Sequence, residues 1–229
     1  MPSFSVRARP FDFEASSETL ALLVIDMQND FLSPQGYLAM GGADVSLLRE
    51  PVEPIQKVLK AVRRLGLLVI FTREGHRPDL SDLSPMKQAK VAWHGIRIGD
   101  PGPLGRLLTR GSKSHDFVDE LRPLPGEIVV DKPAKGAFYG TDLEVLLRNR
   151  GITHLIFTGV TTNVCVQSTV REAADRGYWN LVLEDACAAI TRELHQNSLE
   201  MLTYRGIFAQ VASTANFLKG LPVLARVGP

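Results

Sequence analysis

The sequence has little cysteine and almost no net charge. Its 229 residues include only two cysteines, Cys165 and Cys187, and the formal net charge is +1. Two cysteines do not make a disulfide framework, so reduced thiols in a cytoplasmic protein are expected. A balanced charge gives no indication of nucleic acid or an acidic membrane surface as a partner.

Long apolar runs and nucleotide motifs are also missing. Residues 1–7 contain no apolar core of signal-peptide length, and no later run reaches the roughly 20 residues of a transmembrane helix. There is no glycine-rich nucleotide motif, so no nucleotide cofactor is expected. The length suits one large α/β domain over residues 1–229, in which residues 1–19 form a polar, irregular N-terminal arm.

Apolar runs of strand length alternate with stretches of helical spacing. Strands are predicted at 20–25, 67–71, 128–131, 154–158, 181–183 and 207–212, and helices at 51–65, 141–150, 167–177 and 192–204. This alternation predicts a doubly wound, six-stranded parallel sheet with helices on both faces. The pattern breaks between residues 72 and 115, which indicates a functional loop region with one short helix inside it.

Three chemically capable side chains each follow a predicted strand: Asp26, Lys132 and Cys165. Ligands bind outside the carboxyl ends of the strands in such sheets, so these residues can converge. Cys165 is predicted in the first turn of a helix, where the helix dipole favours a thiolate. Each residue also has an ordinary interpretation. Asp26 could cap a turn, Lys132 could be a solvated lysine, and Cys165 could be a small hydrophobic residue of the core. Their joint occurrence indicates nucleophilic catalysis.

Three segments resemble the isochorismatase-like cysteine hydrolases: Leu-Val-Ile-Asp-Met-Gln-Asn-Asp-Phe at 23–31, Val-Asp-Lys-Pro at 130–133 and Thr-Gly-Val-Thr-Thr-Asn-Val-Cys-Val at 158–166. This family includes nicotinamidases, N-carbamoylsarcosine amidohydrolase, ureidoacrylate amidohydrolase and biuret hydrolase. The resemblance spans roughly residues 18–215. It implies a six-stranded parallel sheet, a catalytic triad of Asp26, Lys132 and Cys165, and a homodimer or homotetramer.

The resemblance also implies a mechanism. Asp26 takes the proton of Cys165, Lys132 holds the resulting charge, and the thiolate attacks a substrate carbonyl carbon. Backbone N–H groups of Thr161 and Cys165 meet the oxyanion. Asp26 then protonates the leaving nitrogen and activates water. The family often carries a cis peptide bond where Val160 and Thr161 stand.

The branch of the family is indicated by what accompanies the cysteine. True isochorismatases lack it, so Cys165 favours C–N bond hydrolysis. Nicotinamidases resemble one another in an Asp-x-His pair and a further histidine that bind a metal, but the matching loop at 72–79 has no Asp-x-His. We therefore expect no metal, since one histidine is too few for a dedicated site. None of the five histidines shows metal spacing: His76, His94, His115, His154 and His195.

The loops at 77–80 and 98–103 resemble those of biuret hydrolase and its ureido-hydrolysing neighbours. Phe31 and Phe138 would then supply apolar walls, with plain core packing as an equal alternative, and Lys135 would donate to a carbonyl or carboxylate. Tyr204 and Arg205 stand where the biuret branch has a glutamine. This departure suggests a related substrate, larger or bearing a carboxylate that Arg205 pairs with.

The sequence therefore predicts a cofactor-free amidohydrolase of small carbamoyl or ureido compounds, acting through a thioester-like intermediate. Two alternatives remain open: a nicotinamidase with an unusual site, and a catalytically idle binding module of the same fold. An idle module would be expected to lose a triad residue, and none is lost. Cys187 is expected to be packed rather than reactive. Whether the 72–115 region acts as a lid stays open.

Overall fold

A computed structural model describes residues 3–92 and 95–222 of the chain. Its centre is a six-stranded parallel sheet of the strands β3 (Leu20–Ile25), β4 (Leu68–Glu74), β7 (Ile128–Lys132), β8 (His154–Val160), β9 (Trp179–Ala188) and β10 (Gln210–Ala212). Across the sheet they lie in the order β10-β9-β8-β3-β4-β7. The predicted α/β fold with a six-stranded parallel sheet is confirmed.

Helices cover both faces of this sheet. They are α1 (Asn29–Leu32), α2 (Tyr37–Met40), α3 (Val52–Arg64), α4 (Pro85–Val91), α5 (Leu143–Arg148), α6 (Gln167–Asp175), α7 (Arg192–Thr203) and α8 (Thr214–Gly220). Side chains of β3 alternate between the two sides. Leu22 and Val24 join one core cluster with residues of α3, whereas Leu23 and Ile25 join a second with residues of α6. All six residues of β3 are buried, which explains its unbroken apolar run.

Strand β4 is longer than predicted. The sequence pattern ends the strand at residue 71, where the apolar run stops, but pairing continues to Glu74. Thr72 is the last residue that pairs with β3, and Arg73 and Glu74 continue the parallel pairing with Asp131 and Lys132 of β7. Polar residues at a strand end can therefore belong to the sheet, and this extension brings Glu74 to its carboxyl edge.

The N-terminal arm is a structured hairpin rather than the irregular segment that was expected. β1 (Ser3–Val6) pairs antiparallel with β2 (Phe13–Ser16). Every second residue of the pair is buried against the core, as the period of a strand requires. Beyond it, Arg9 forms an antiparallel bridge to Val211 in β10. The arm thereby covers the outer edge of the sheet.

The region between 72 and 115 contains the end of β4, the expected short helix α4 and a two-residue antiparallel pair, β5 (Pro101–Gly102) with β6 (Gly105–Arg106). Residues 93 and 94, and with them His94, lie outside the described residues. Within the described ranges, no helix has the length and apolar character needed to cross a membrane.

Candidate active site

Four side chains meet at the carboxyl edge of four neighbouring strands. Asp26 follows β3, Glu74 ends β4, Lys132 ends β7, and Cys165 lies in a single π-helical turn, Thr162–Val166, that joins β8 to α6. The sheet order β8-β3-β4-β7 makes these ends adjacent. The first three side chains have no exposed surface and Cys165 is 4% exposed. The structure thus brings Asp26, Lys132 and Cys165 together, with a fourth group that the sequence analysis missed.

Lys132 and Asp26 form a buried ion pair. The Lys132 Nζ lies 2.8 Å from Asp26 Oδ2, and it donates to the carbonyls of Ala134 at 2.8 Å and Lys135 at 3.0 Å. Thr72 donates its hydroxyl to Asp26 Oδ1 at 2.6 Å. Burial by itself lowers the pKa of Lys132, but the negative charges around it outweigh burial and raise that pKa. Lys132 is therefore an ammonium that neutralises Asp26.

Cys165 is held as a thiol in the resting structure. Its Sγ donates to Glu74 Oε2 at 3.4 Å. Burial is the largest effect on the thiol pKa and raises it; Asp26 and Glu74 raise it further, while Lys132 opposes them. The thiolate expected at the helix start is therefore not favoured in this state, because burial and the two carboxylates raise the thiol pKa.

Glu74 is the group that sequence reasoning missed. Its Oε1 accepts from Lys87 Nζ at 2.8 Å and from Lys135 Nζ at 2.7 Å, and its Oε2 lies 3.6 Å from Lys132 Nζ. Burial by itself raises the pKa of Glu74, but the three ammonium groups outweigh it and hold that pKa well below its usual range. The signal was present in the sequence: a carboxylate three residues beyond the apolar run of a buried strand.

Gln28 fixes the backbone of Glu74. The fully buried Gln28 side chain accepts from the Glu74 N–H at 2.7 Å and donates to the Glu74 carbonyl at 3.1 Å. It also donates to the carbonyl of His115 at 2.9 Å. The amide thus pairs with Glu74 as a neighbouring strand would, and it fixes the backbone from which the Glu74 side chain extends.

The 72–115 region contributes a cation through α4. Lys87 Nζ donates to the carbonyl of Pro133 at 2.7 Å and lies 2.9 Å from His76 Nε2. The other ring nitrogen of His76 lies 3.2 Å from Asp82 Oδ1. Burial and the charge of Lys87 lower the pKa of His76, although Asp82 opposes this. A neutral imidazole therefore accepts from Lys87.

Asp26, Glu74 and Cys165 each offer one metal-ligand atom, and these atoms lie within 4.8 Å of one another. However, the Lys132 ammonium lies close to both carboxylates, and Lys87 and Lys135 contact Glu74 as well. Because lysine ammonium groups already neutralise the carboxylates, this donor set does not favour a divalent cation.

The peptide bond between Val160 and Thr161 is cis. The Thr161 carbonyl accepts the N–H groups of Val164 at 3.0 Å and Val166 at 3.2 Å, which fixes the start of the π-helical turn that carries Cys165. Backbone N–H groups at the start of a helical segment point toward its amino end, which here is the edge of the sheet where Asp26 lies.

Lys135 and the two phenylalanines have different surroundings. Lys135 reaches Glu74 and its side chain is 46% exposed, so it lies between the buried group and solvent. Phe31 is buried in the core cluster on the α3 side of the sheet. Phe138 packs against the ring of Tyr178 at 5.9 Å, with Arg176 4.7 Å from its ring centre. Core packing describes the contacts of both phenylalanines.

Tyr204 and Arg205 lie away from this group of residues. They form part of the connection from α7 to the first residue of β10, and Tyr204 is 61% exposed. A helix-to-strand connection lies where strands begin, at the edge of the sheet opposite Cys165. The prediction that these two residues bind substrate is therefore wrong for the site of one chain, since topology places them at the other end of the sheet.

Cys187 is packed, as expected. It is 5% exposed, and its Sγ lies 3.8 Å from the carbonyl oxygen of Phe157. Burial raises the pKa of this thiol, and the nearby charge of Asp185 raises it further. Cys187 is therefore neutral at physiological pH.

A groove of about 390 Å³ lies on the outer side of Lys135. Three ammonium-bearing side chains border it, and so do apolar and polar groups from α4 and from the loop after β7. Its lining consists of Asp82, Ser84, Met86, Lys87, Lys90, Pro133, Ala134, Lys135 and Tyr139. This groove adjoins the buried group, and its lining has three lysines against one carboxylate.

Comparison with known proteins gives matches over most of the chain. The family model described as Isochorismatase domain matches residues 20–216. A cysteine hydrolase from Pseudomonas syringae pv. phaseolicola 1448A is 29% identical, with a TM-score of 0.76 over 90% of this chain and 93% of that one.

Two further solved structures carry names of amidases. N-carbamoylsarcosine amidase from Thermoplasma acidophilum is 28% identical, with a TM-score of 0.65 over 86% of this chain and 96% of that one. Pyrazinamidase/nicotinamidase from Streptococcus mutans UA159 is 25% identical, with a TM-score of 0.66 over 84% of this chain and 99% of that one.

Proposed function

The chain belongs to the isochorismatase family, and on that premise we propose that it is a cysteine-dependent amidohydrolase of small carbamoyl or ureido compounds. Biuret-like, triuret-like and N-carbamoyl compounds are the substrates proposed. The observation that carries the proposal is the arrangement around the sulfur: Cys165 Sγ lies within 4.8 Å of oxygens of Asp26 and Glu74, and Lys132 Nζ lies 2.8 Å from Asp26.

In the proposed reaction Asp26 accepts the thiol proton of Cys165 when substrate binds. Glu74 is the poorer acceptor because three ammonium groups around it oppose protonation. Lys132 remains charged and stabilises the thiolate, which attacks the carbonyl carbon. Backbone N–H groups of Thr161 and Cys165 stabilise the oxyanion.

Collapse of the tetrahedral adduct breaks the C–N bond. The electron pair of that bond goes to nitrogen, which takes the proton from Asp26 and leaves as ammonia. The carbonyl carbon stays bonded to Cys165 as a thioester-like intermediate. Asp26 then takes a proton from water, whose oxygen attacks the same carbon, and the thiol is restored as the carbamate product leaves.

Charge at the entrance supports small polar substrates, including anionic ones. Cys165 is 4% exposed, so substrate reaches it past Lys135, whose side chain is 46% exposed. The ammonium groups along the adjoining groove suit a carbonyl or carboxylate. N-carbamoylsarcosine amidase, a carbamoyl hydrolase by name, is among the similar structures.

A nicotinamidase is the second candidate, because one similar structure carries that name. Against it, the His76 side chain is already paired with Lys87 and Asp82. We further propose that the enzyme needs no cofactor and works as a homodimer or homotetramer in the cytoplasm; light scattering on the purified protein measures the assembly.

The decisive experiment measures ammonia released from biuret, triuret, ureidoacrylate, N-carbamoyl amino acids and nicotinamide, each with and without a chelator. Release from carbamoyl compounds that the chelator does not affect is expected. Chelator-sensitive release from nicotinamide alone would favour the second candidate. Absence of release from every compound would favour an idle binding module.

A further inference from the structure

Glu74 faces the proposed nucleophile, yet the reaction described above gives it no task. Its two carboxylate oxygens have different surroundings. Oε1 is held by Lys87 at 2.8 Å and by Lys135 at 2.7 Å, whereas Oε2 points at Cys165 Sγ, 3.4 Å away. One oxygen is anchored and the other is directed at the place where a substrate would react.

Two carboxylates flank the sulfur of Cys165, since oxygens of Asp26 and Glu74 and the Sγ lie within 4.8 Å of one another. A carbonyl carbon approaches a nucleophile to about 3–3.5 Å before the bond forms. At that distance the groups bonded to the carbon come within reach of both carboxylates. Of its three substituents, the oxygen turns to backbone N–H groups, which leaves one substituent for each carboxylate.

We propose that Glu74 is a specificity-determining residue that binds the N–H of a second nitrogen on the reacting carbon. The site then selects a urea-type carbon, N–CO–N, over a simple carboxamide, C–CO–N. This inference rests on the proposed function and narrows its substrate class. The nitrogen beside Asp26 leaves as ammonia with the proton from Asp26; the nitrogen beside Glu74 keeps its bond to carbon through the thioester-like intermediate.

The discrimination has a physical cause. An ionised carboxylate is an acceptor only, so it binds N–H donors and repels the lone pairs of an oxygen. A simple amide would place a C–H group against Glu74 Oε2 and displace the thiol hydrogen bond without replacing it. Oε2 would then keep only the Lys132 ammonium, 3.6 Å away, and would lose the donor within hydrogen-bond distance, which is costly for a buried charged group. Lys87 and Lys135 hold Oε1 and Gln28 holds the backbone of Glu74, which limits how far the carboxylate can shift toward a different ligand.

Matched substrates test this proposal. N-carbamoylglycine and succinamic acid differ only by NH in place of CH₂, as do biuret and malonamide. The wild-type kcat/KM is expected to favour the urea-type member of each pair by at least about 100-fold. E74M, which has no acceptor, should bring the ratio to within about tenfold, and E74Q, which keeps one acceptor oxygen, should give an intermediate ratio.

Glu127→Gln is the matched control. Glu127 is also a partly buried carboxylate, paired with Arg63 at 2.8 Å, but it lies just before β7 begins, at the opposite edge of the sheet. E127Q should keep the wild-type ratio. A second readout needs no substrate: loss of the negative charge beside Cys165 should increase its alkylation rate at pH 7 several-fold in E74Q. A purely structural role would not produce this increase.

The outcomes separate the two proposals. If wild type hydrolyses urea-type compounds but E74M and E74Q keep its substrate ratio, the role of Glu74 is overturned and the amidohydrolase stands. If wild type hydrolyses no carbamoyl compound, both are overturned. If E74M does not fold, E74Q decides: an unchanged ratio with unchanged alkylation contradicts the inference, and a reduced ratio with faster alkylation supports it.

Discussion

The ammonium of Lys132 lies 2.8 Å from a carboxylate oxygen of Asp26, and neither side chain is exposed to solvent. Removing two charges from water is costly, so leaving either of them buried without the other is strongly unfavourable. The same ammonium also lies 3.6 Å from Glu74. One lysine therefore compensates two buried carboxylates, which makes it important for stability as well as for chemistry.

Replacing Lys132 by Met should lower the free energy of unfolding by about 3–5 kcal/mol, because it leaves the buried carboxylate of Asp26 without its cation and removes one of the three cations around Glu74. Chemical denaturation measures the change. Lys57→Met is the matched control: Lys57 pairs with Glu53 at 2.8 Å, but both side chains are largely exposed. Its denaturation midpoint should equal that of wild type. Equal midpoints for K132M and K57M would contradict the importance assigned to the buried pair.

The two cysteines should differ in their effect on activity. Cys165→Ser should reduce turnover of any carbamoyl substrate by at least about 1,000-fold, because a serine hydroxyl is far less acidic than a thiol and Asp26 is too weak a base to activate it. Cys187→Ser should leave turnover within about twofold of wild type, since Cys187 is buried against Phe157. Circular dichroism checks that both variants fold. A C165S enzyme as active as C187S would rule out the proposed nucleophile.

In the absence of substrate, alkylation of Cys165 should become fast only at an unusually high pH. Burial raises the pKa of this thiol, and Asp26 and Glu74 raise it further. Since only the thiolate reacts, iodoacetamide should label Cys165 more slowly at pH 7 than it labels a free thiol of pKa about 8.5. Mass spectrometry from pH 6 to 10, with C165S as the background, measures the rate. A rate that reaches its plateau below pH 8 would contradict this assignment.

Gln28 should contribute more to stability than an exposed glutamine with a similar bond. Gln28→Met leaves the N–H and carbonyl of Glu74 without their partner, which should lower the free energy of unfolding by about 1–3 kcal/mol per unpaired group. Gln56 also donates to a backbone carbonyl, that of Glu120 at 3.1 Å, but at the surface. The free energy of unfolding of Q56M, measured by chemical denaturation, should equal that of wild type. If Q28M also equals wild type, the buried amide does not hold the backbone of Glu74.

Asp30 should make stability depend on pH. Burial raises the pKa of this carboxyl from 3.8 to about 7, although the N–H of Leu108 opposes the shift. The folded protein thus keeps a proton that the unfolded chain releases between about pH 4 and 7, so this group's contribution to stability falls as the pH rises through that window.

Replacing Asp30 by Asn removes this titration. The free energy of unfolding of D30N minus that of wild type should therefore increase between pH 4 and pH 7, by an amount on the order of a few kcal/mol. Asp44, an exposed carboxyl that accepts from the Ser46 N–H at 2.9 Å, provides the control. D44N should show no such gain, and a D30N curve parallel to wild type would contradict the shift.

Local sequence was sufficient for part of the site. Asp26 directly follows an apolar run, and Cys165 follows a strand and a glycine-containing turn, so the rule that ligands bind at carboxyl ends of parallel strands located both. The same rule located Lys132, which lies at the end of another predicted strand. These predictions needed only the existence and direction of each strand, which hydrophobic patterning specifies well.

Glu74 and Lys87 required information that one segment does not contain. Glu74 reaches the site because β4 continues in register with β7, which pairs Glu74 with Lys132. Lys87 lies on a short helix without a buried face, and its contact with Pro133 spans 46 positions along the chain. The raised pKa of Cys165 likewise depends on charges that meet only after folding.

Tyr204 and Arg205 show the opposite error. Their assignment rests on a resemblance to the biuret branch at one position, and a helix-to-strand connection lies at the edge of the sheet opposite Cys165. The predicted order of elements already contained that information, because every connection into a parallel strand lies opposite the connections that leave it.

The sulfur, the ammonium and the two carboxylates come from the ends of four neighbouring strands, β8, β7, β3 and β4. They span residues 26–165, so only a piece of chain that keeps all four strands contains them, and loss of the edge strand β7 removes one of them. Turnover therefore reports on intact molecules alone: under denaturing conditions its decline should coincide with loss of the whole sheet, with no active species in between.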